Sequence, residues 1–153
     1  MYFFTSEYEC RLDAKGRLVL PAKIKANLPA SLTDGKEETY EVVLRRGFEP
    51  CLVLYPITEY KKIYARISGL NEFNEEYRKL QRNFFRGNTQ VELDNMGRFL
   101  IPKSMIKYAQ LDKDVMVVGM GNRVEIWNPE LYEAYLIKDE TEFSALAQKY
   151  LDA

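Results

Sequence analysis

Polar and apolar residues alternate along Glu7-Tyr8-Glu9-Cys10-Arg11-Leu12, with Tyr8, Cys10 and Leu12 on one side and the charges on the other. That is the pattern of a half-buried strand. Asp13-Ala14-Lys15-Gly16 then reads as a turn, because an Asp carboxylate can accept from backbone N–H groups two or three residues on, and Gly tolerates positive φ. Arg17-Leu18-Val19-Leu20 resumes as a strand and stops at Pro21, which has no N–H for a ladder. Pro21 also suits the start of a short helix over 22–27, with Ile24 and Leu28 on one side. The pattern then returns. Residues 90–93 read as a strand, Asp94-Asn95-Met96-Gly97 as a turn and 98–101 as the return strand. Pro102 opens a second helix through Tyr108, with Met105 and Ala109 opposite Ile24 and Leu28.

Each copy continues into a predicted β pair. One joins 41–44 to 51–55 around Arg46-Gly47, and the other joins 115–118 to 124–127 around Gly119-Met120-Gly121-Asn122. Helical spacing follows the first pair in two runs: Tyr60, Ile63, Tyr64 and Ile67 within 56–67, and Tyr77, Leu80 and Phe84 within 74–85. Asn128 can cap a helix begun by Pro129 that carries Leu131, Tyr132 and Tyr135. Phe143, Leu146, Ala147, Tyr150 and Leu151 form a last helical stripe, expected to pack on its own fold.

The two blocks match almost residue for residue. Leu12-Asp13-Ala14-Lys15-Gly16-Arg17 and Leu93-Asp94-Asn95-Met96-Gly97-Arg98 are each followed by three apolar residues and a proline, about 81 positions apart. Phe3-Phe4 meets Phe84-Phe85 at the same offset, while Val53-Leu54-Tyr55-Pro56 meets Ile126-Trp127-Asn128-Pro129 at about 73. The difference fits an insertion in the polar run 31–41. The chain therefore reads as an internal duplication, with a period too long for a solenoid.

Composition narrows the function. A chain of 153 residues with 46% apolar content can bury a core, but each half alone would be marginal, so the halves are expected to pack on each other or on other copies. With no histidine, Ser-His, Cys-His and His-metal sites are excluded within this chain. Cys10 and Cys51 stand opposite Val91 and Val124, which suggests buried, reduced thiols. No apolar run is long enough to span a membrane and no basic-then-apolar leader opens the chain, so it is expected to be cytoplasmic. The net charge of −1 is unevenly spread. Arg11, Lys15, Arg17, Lys23 and Lys25 surround the first block, and Arg86, Arg98, Lys103, Lys107 and Lys113 the second, whereas the tail is acidic. A neutral protein with a nucleic-acid-facing surface needs such a split.

Three readings of the repeated block compete. Asp13 and Asp94 can simply shape turns with Gly16 and Gly97 and pair with Arg17 and Arg98, which leaves Lys15 and the flanking basic helices without a role. A carboxylate dyad of the aspartic-protease type is disfavoured: Ala14-Lys15 and Asn95-Met96 stand where a small hydroxyl residue and Gly are needed, and the nearby arginines oppose proton sharing. In the third reading two basic hairpins present Arg to base edges and Lys to phosphates of duplex DNA.

The paired blocks, the Phe84-Phe85-Arg86-Gly87 approach to the second, and the closing Val124-Glu125-Ile126-Trp127 resemble the MraZ family over nearly the whole length. The resemblance implies an α+β fold, a duplicated AbrB-like swapped-hairpin β-barrel with flanking helices. It divides the chain into a first SpoVT–AbrB-type domain (5–55), a helical connector (56–86), a second such domain (87–130) and a helical tail (131–153). It implies a non-enzymatic, nucleoid-associated transcriptional regulator that assembles into rings. Its partner would be double-stranded DNA, at short direct repeats near the promoter of the cell-division and cell-wall gene cluster. No cofactor, metal, membrane or small-molecule substrate is implied. The family's Asp-x-x-x-Arg motif falls on Asp13 and Arg17, and on Asp94 and Arg98. The expected DNA-binding residues are Arg17 and Arg98, with Lys15, Lys23, Lys25 and Lys103 on phosphates; Asp13, Gly16, Asp94 and Gly97 shape the turns. Met96 replaces the turn lysine in the second copy, so the halves are expected to be unequal readers. An AbrB-type antitoxin, sheathing a toxin with its tail, and a purely structural assembly protein remain as alternatives.

Overall fold

The two copies do not fold side by side; they exchange strands. The computed structural model describes residues 2–29, 31–32 and 38–152. The first copy supplies β1 (Glu7–Arg11), β2 (Arg17–Val19), α1 (Ala22–Ala26), β3 (Ser31–Leu32), β4 (Glu38–Arg46) and β5 (Leu52–Pro56), followed by α2 (Ile57–Ser68) and α3 (Glu75–Phe85). The second supplies β6 (Thr89–Leu93), β7 (Arg98–Leu100), α4 (Lys103–Tyr108), β8 (Asp114–Gly119) and β9 (Val124–Trp127), followed by α5 (Pro129–Tyr135) and α6 (Glu140–Leu151).

The main sheet runs β1-β8-β9-β5-β4, with β6 on the far side of β4 and β3 beside its start. β1 pairs with β8 (Cys10 opposite Val115), and β6 pairs with β4 in the matching way (Val91 opposite Val42). β2 pairs with β7 as a separate ribbon, Leu18 opposite Phe99, and β5 joins β9 with Val53 opposite Glu125. All four ladders are antiparallel and cross between the copies. A lone unit of this size would leave long sheet edges open; the exchange gives those edges partners.

Alternation within the central strands sorts side chains into two clusters. Leu52, Leu54, Val42, Leu44, Val124 and Ile126 face one core with Leu18, Phe99 and the helix residues Ile24 and Met105. Cys51, Val53, Tyr55 and Trp127 face another, closed by Tyr132 of α5 and by Tyr60 and Ile63 of α2. The residues Ile24, Leu28, Met105 and Ala109, matched in sequence, are all buried. Each large side chain so buried contributes about 1.5–3 kcal/mol. Both cysteines are free thiols: Cys51 is fully buried and its pKa pushed up to about 12, chiefly by burial, while Cys10 is half-buried. Asn128 caps α5 as its sequence suggests, accepting from Glu130 N at 2.8 Å and Leu131 N at 3.3 Å.

Three expectations need correction. Arg46 does not sit in a hairpin link: Arg45 and Arg46 end β4, and the turn is closed by Gly47 N donating to Cys51 O at 2.8 Å. The polar run 31–41 is partly β, with Ser31 opposite Thr39 and Leu32 opposite Glu38; residues 33–37 lie outside the described residues. Among the described residues the terminal stripe finds no cover. α6 has no buried residue, and Phe143, Tyr150 and Leu151 are 64%, 72% and 80% exposed.

Candidate nucleic-acid interface

The β2–β7 ribbon has two unlike faces because side chains alternate along both strands. Leu18 and Phe99 point into the core, while Val19 and Leu100 remain 48% and 56% exposed on the other face, beside Arg17 and Arg98. Arg17 is opposite Leu100 and Arg98 opposite Val19, so the arginines are diagonal neighbours. Antiparallel geometry puts such positions about 7–8 Å apart. The duplication thus yields one shared surface rather than two separate hairpin tips.

Each arginine is held by the Asp of its own turn. Asp13 Oδ1 accepts from the backbone N–H of Lys15 at 2.9 Å and of Arg17 at 2.8 Å, and Oδ2 accepts from Arg17 Nε at 2.7 Å. Asp94 repeats this with Met96 N at 3.0 Å, Arg98 N at 2.9 Å and Arg98 Nε at 3.0 Å. Hydrogen bonds from the backbone N–H of Arg17 and Arg98, foremost, with help from their guanidinium groups, hold both carboxyls below the usual Asp range. A shared-proton dyad would instead split the two. Within each guanidinium, Nε alone is engaged by a described residue. Among the described residues no acceptor takes the Nη groups, which leaves them for an outside partner.

The turns are also locked to each other. Gly16 and Gly97 close them at φ +83° and +77°, where a side chain would be strained. Leu20 N donates to Gly97 O at 2.9 Å, and Ile101 N donates to Gly16 O at 2.9 Å, so each turn is fastened to the other copy's return strand. Such fastening fixes the arginine positions before any ligand arrives.

The lysines divide into two groups. Lys15, Lys23 and Lys103 are exposed, and among the described residues no ion pair or hydrogen bond engages their ammonium groups. Lys25 is half-buried and committed: its Nζ donates to Asn95 O and lies 5.5 Å from the Tyr40 ring centroid. It supports the second turn, the place that Ile106 takes beside Gly16 in the first. Met96, at the tip where the first turn has Lys15, is 60% exposed. The exposed apolar pair Val19 and Leu100 was not singled out by sequence reasoning. Its signal was available in the alternation of each return strand, which leaves one apolar residue on the arginine face. Among the described residues no three His, Cys, Asp or Glu side chains gather to hold a metal ion, and no helix is long and apolar enough to cross a membrane.

Comparison with known proteins accords with the duplicated sequence. The family model described as "MraZ protein, putative antitoxin-like" matches twice, over residues 3–83 and 84–153. The chain is 62% identical over 151 residues to the transcriptional regulator MraZ of Cytophaga hutchinsonii, covering 99% of this chain and 96% of that one. It is 37% identical over 144 residues to the MraZ regulator of Christiangramia forsetii, covering 94% and 90%. With that of Carboxydothermus hydrogenoformans it shares 35% over 149 residues, covering 97% of each. Two end-to-end matches to one model, with relatives spanning nearly the full length, show that this chain belongs to the MraZ family.

Proposed function

We propose that the chain is a sequence-specific DNA-binding transcriptional regulator without catalytic activity. Its targets are short direct repeats near the promoter of the cell-division and cell-wall gene cluster, its own promoter included. The observation that carries this reading is the outer face of the β2–β7 ribbon, where two pre-positioned arginines keep their Nη groups free. A guanidinium held at Nε can present Nη donors to a guanine edge, and the exposed Lys15, Lys23 and Lys103 supply phosphate contacts that set register. Lys25 acts chiefly by holding the second turn. The hairpins exchanged between 5–55 and 87–130 form a swapped-hairpin barrel in this reading, with 56–86 as connector and 131–153 as tail. The uncovered α6 stripe supports self-association into a homo-oligomeric ring, and the regulator works at the nucleoid.

Binding to DNA upstream of the chain's own gene tests the reading, for wild type and Arg17→Ala/Arg98→Ala across a salt series. Tight specific binding that weakens steeply with salt and is lost in the double variant is expected. Wild-type binding no better than to random duplex would overturn it. The antitoxin alternative draws on the same uncovered stripe, which could take a toxin; a small protein co-purifying in stoichiometric amount, and released by Phe143→Ser/Tyr150→Ser, would favour it.

A further inference from the structure

A second concentration of arginines lies away from the ribbon. A cavity of about 260 Å³ opens between the end of β4, the turn after it and α3, lined by Arg45, Arg46, Arg86, Phe48, Phe84 and Tyr108. Arg45 is only 6% exposed, the sole charged residue buried to that degree among the described residues. Its Nη1 donates to Arg46 O at 2.7 Å and its Nη2 to the Tyr55 hydroxyl at 2.8 Å, while its Nε is buried without a partner. Its guanidinium lies 5.0, 5.3 and 5.4 Å from the centroids of Phe48, Tyr55 and Phe84. The Arg46 guanidinium lies 5.1 Å from the Tyr108 centroid; it makes no hydrogen bond to a described group, and its Nε too is buried. Arg86 is exposed, with its side chain unpaired among the described residues.

Among the described residues no carboxylate lines this cavity. Glu49 and Glu125 line the adjoining cleft, and neither forms an ion pair with any of the three arginines. A buried charge is tolerated when it is paired or fully hydrogen-bonded. Ring faces attract a guanidinium, but they accept no N–H···O bonds, so the orphaned donors call for another explanation. An oxyanion in the cavity supplies the missing counter-charge and accepts from the unpaired guanidinium groups of Arg46 and Arg86.

We propose that this cavity is a binding site for a small phosphate-bearing molecule, with Arg45 as its floor and Arg46 and Arg86 as its direct contacts. Three guanidinium groups on separate backbone positions match the several oxygens of a tetrahedral phosphate better than a planar carboxylate, which one arginine can satisfy. The volume of about 260 Å³ lies just below the roughly 300 Å³ at which pockets hold drug-sized ligands, so it suits phosphate carrying a small organic group. The site is independent of the DNA reading, since it shares no residue with the ribbon.

Thermal unfolding and calorimetric titration of the full chain test this, with inorganic phosphate, glycerol phosphate and acetate as probes at ionic strength held constant with sodium chloride. Phosphate and glycerol phosphate are expected to bind saturably and raise the melting temperature, while acetate does not. Arg46→Gln/Arg86→Gln should weaken phosphate at least tenfold, and Asn83→Asp, which places a carboxylate in the lining without changing size, should weaken it as well. Arg17→Ala/Arg98→Ala should bind phosphate like wild type. A response no larger than that of sodium chloride, retention of binding in both cavity variants, or its loss in the ribbon variant would each overturn the proposal.

Discussion

Replacing Gly119 with alanine should detach the amino-terminal segment from the sheet. Gly119 ends β8, and its N–H donates to Ser6 O at 2.8 Å; just beyond, Phe4 and Gly121 exchange hydrogen bonds of 3.0 and 2.7 Å. A Cβ at Gly119 would lie 2.2 Å from Thr5 N, 2.4 Å from the Phe4 carbonyl carbon and 2.6 Å from Thr5 Cα. All three are backbone atoms, so no rotamer change relieves the clash. The segment must lift away, and with it the Phe4 ring, which is 1% exposed and stacks on Tyr2 at 5.6 Å. Losing a buried Phe costs about 3–5 kcal/mol, and each backbone hydrogen bond returned to water adds about 1 kcal/mol. The expected loss is therefore at least about 3 kcal/mol, a large share of the roughly 5–15 kcal/mol that holds a typical domain folded. Urea unfolding followed by the single tryptophan, the buried Trp127, measures it. The informative design is a cycle of Gly119→Ala, Phe4→Ala and the pair. If the segment is already released by Gly119→Ala, the second change adds almost nothing. A Gly119→Ala cost under about 1 kcal/mol, or additive single effects, would refute the reasoning.

Three further outcomes follow from the geometry. Tyr132 donates to Glu7 Oε2 at 2.7 Å, and burial, foremost, together with that bond pushes its pKa up to about 12. A raised folded pKa gives stability that is present below about pH 10 and lost as pH rises toward 12; chemical denaturation should show this alkaline loss in wild type and a smaller one in Tyr132→Phe. The lowered carboxyls of Asp13 and Asp94 work in the opposite direction. Their stabilisation is full above the ordinary Asp value near pH 3.9 and lost as pH falls below it, so the deficit of Asp13→Asn/Asp94→Asn should be largest near neutrality and close in acid; a deficit that is flat with pH refutes this. For DNA, Lys15→Ala should make the slope of log affinity against log salt shallower by about 0.9, and Met96→Lys should steepen it by a similar amount. Lys25→Ala should instead lower the melting temperature, since its ammonium supports Asn95 O; equal slope changes for Lys15→Ala and Lys25→Ala would contradict that division.

Most individual elements are legible in the chain because their causes are local. Alternation marks β1 and β6, Asp and Gly three places apart close both turns, Pro21 and Pro102 end the return strands, and Asn128 with Pro129 starts α5. The duplication is legible too, since matching blocks need no coordinates. The partners of those elements are not. An apolar strand face specifies that it will be covered, and nothing in a two-residue period says by which strand, so β1 on β8 and β6 on β4 emerge only in three dimensions. The same step decides the candidate site. Arg17 and Arg98 lie 81 residues apart in sequence and become diagonal neighbours because the ribbon pairs the copies antiparallel about Leu18 and Phe99. Lys25 looks like any basic residue of a helix until the fold carries it to the second turn. The α6 stripe shows the converse: periodicity establishes an apolar face, and only the arrangement of the other elements leaves it in solvent. Arg45 and Arg46 interrupt an apolar strand visibly enough, yet what surrounds them is contributed by α3 and by Tyr108 of α4. Local sequence determines the pieces because turns, caps and periodicity act over a few residues; burial and charge pairing are sums over distant segments, and only the folded chain carries them out.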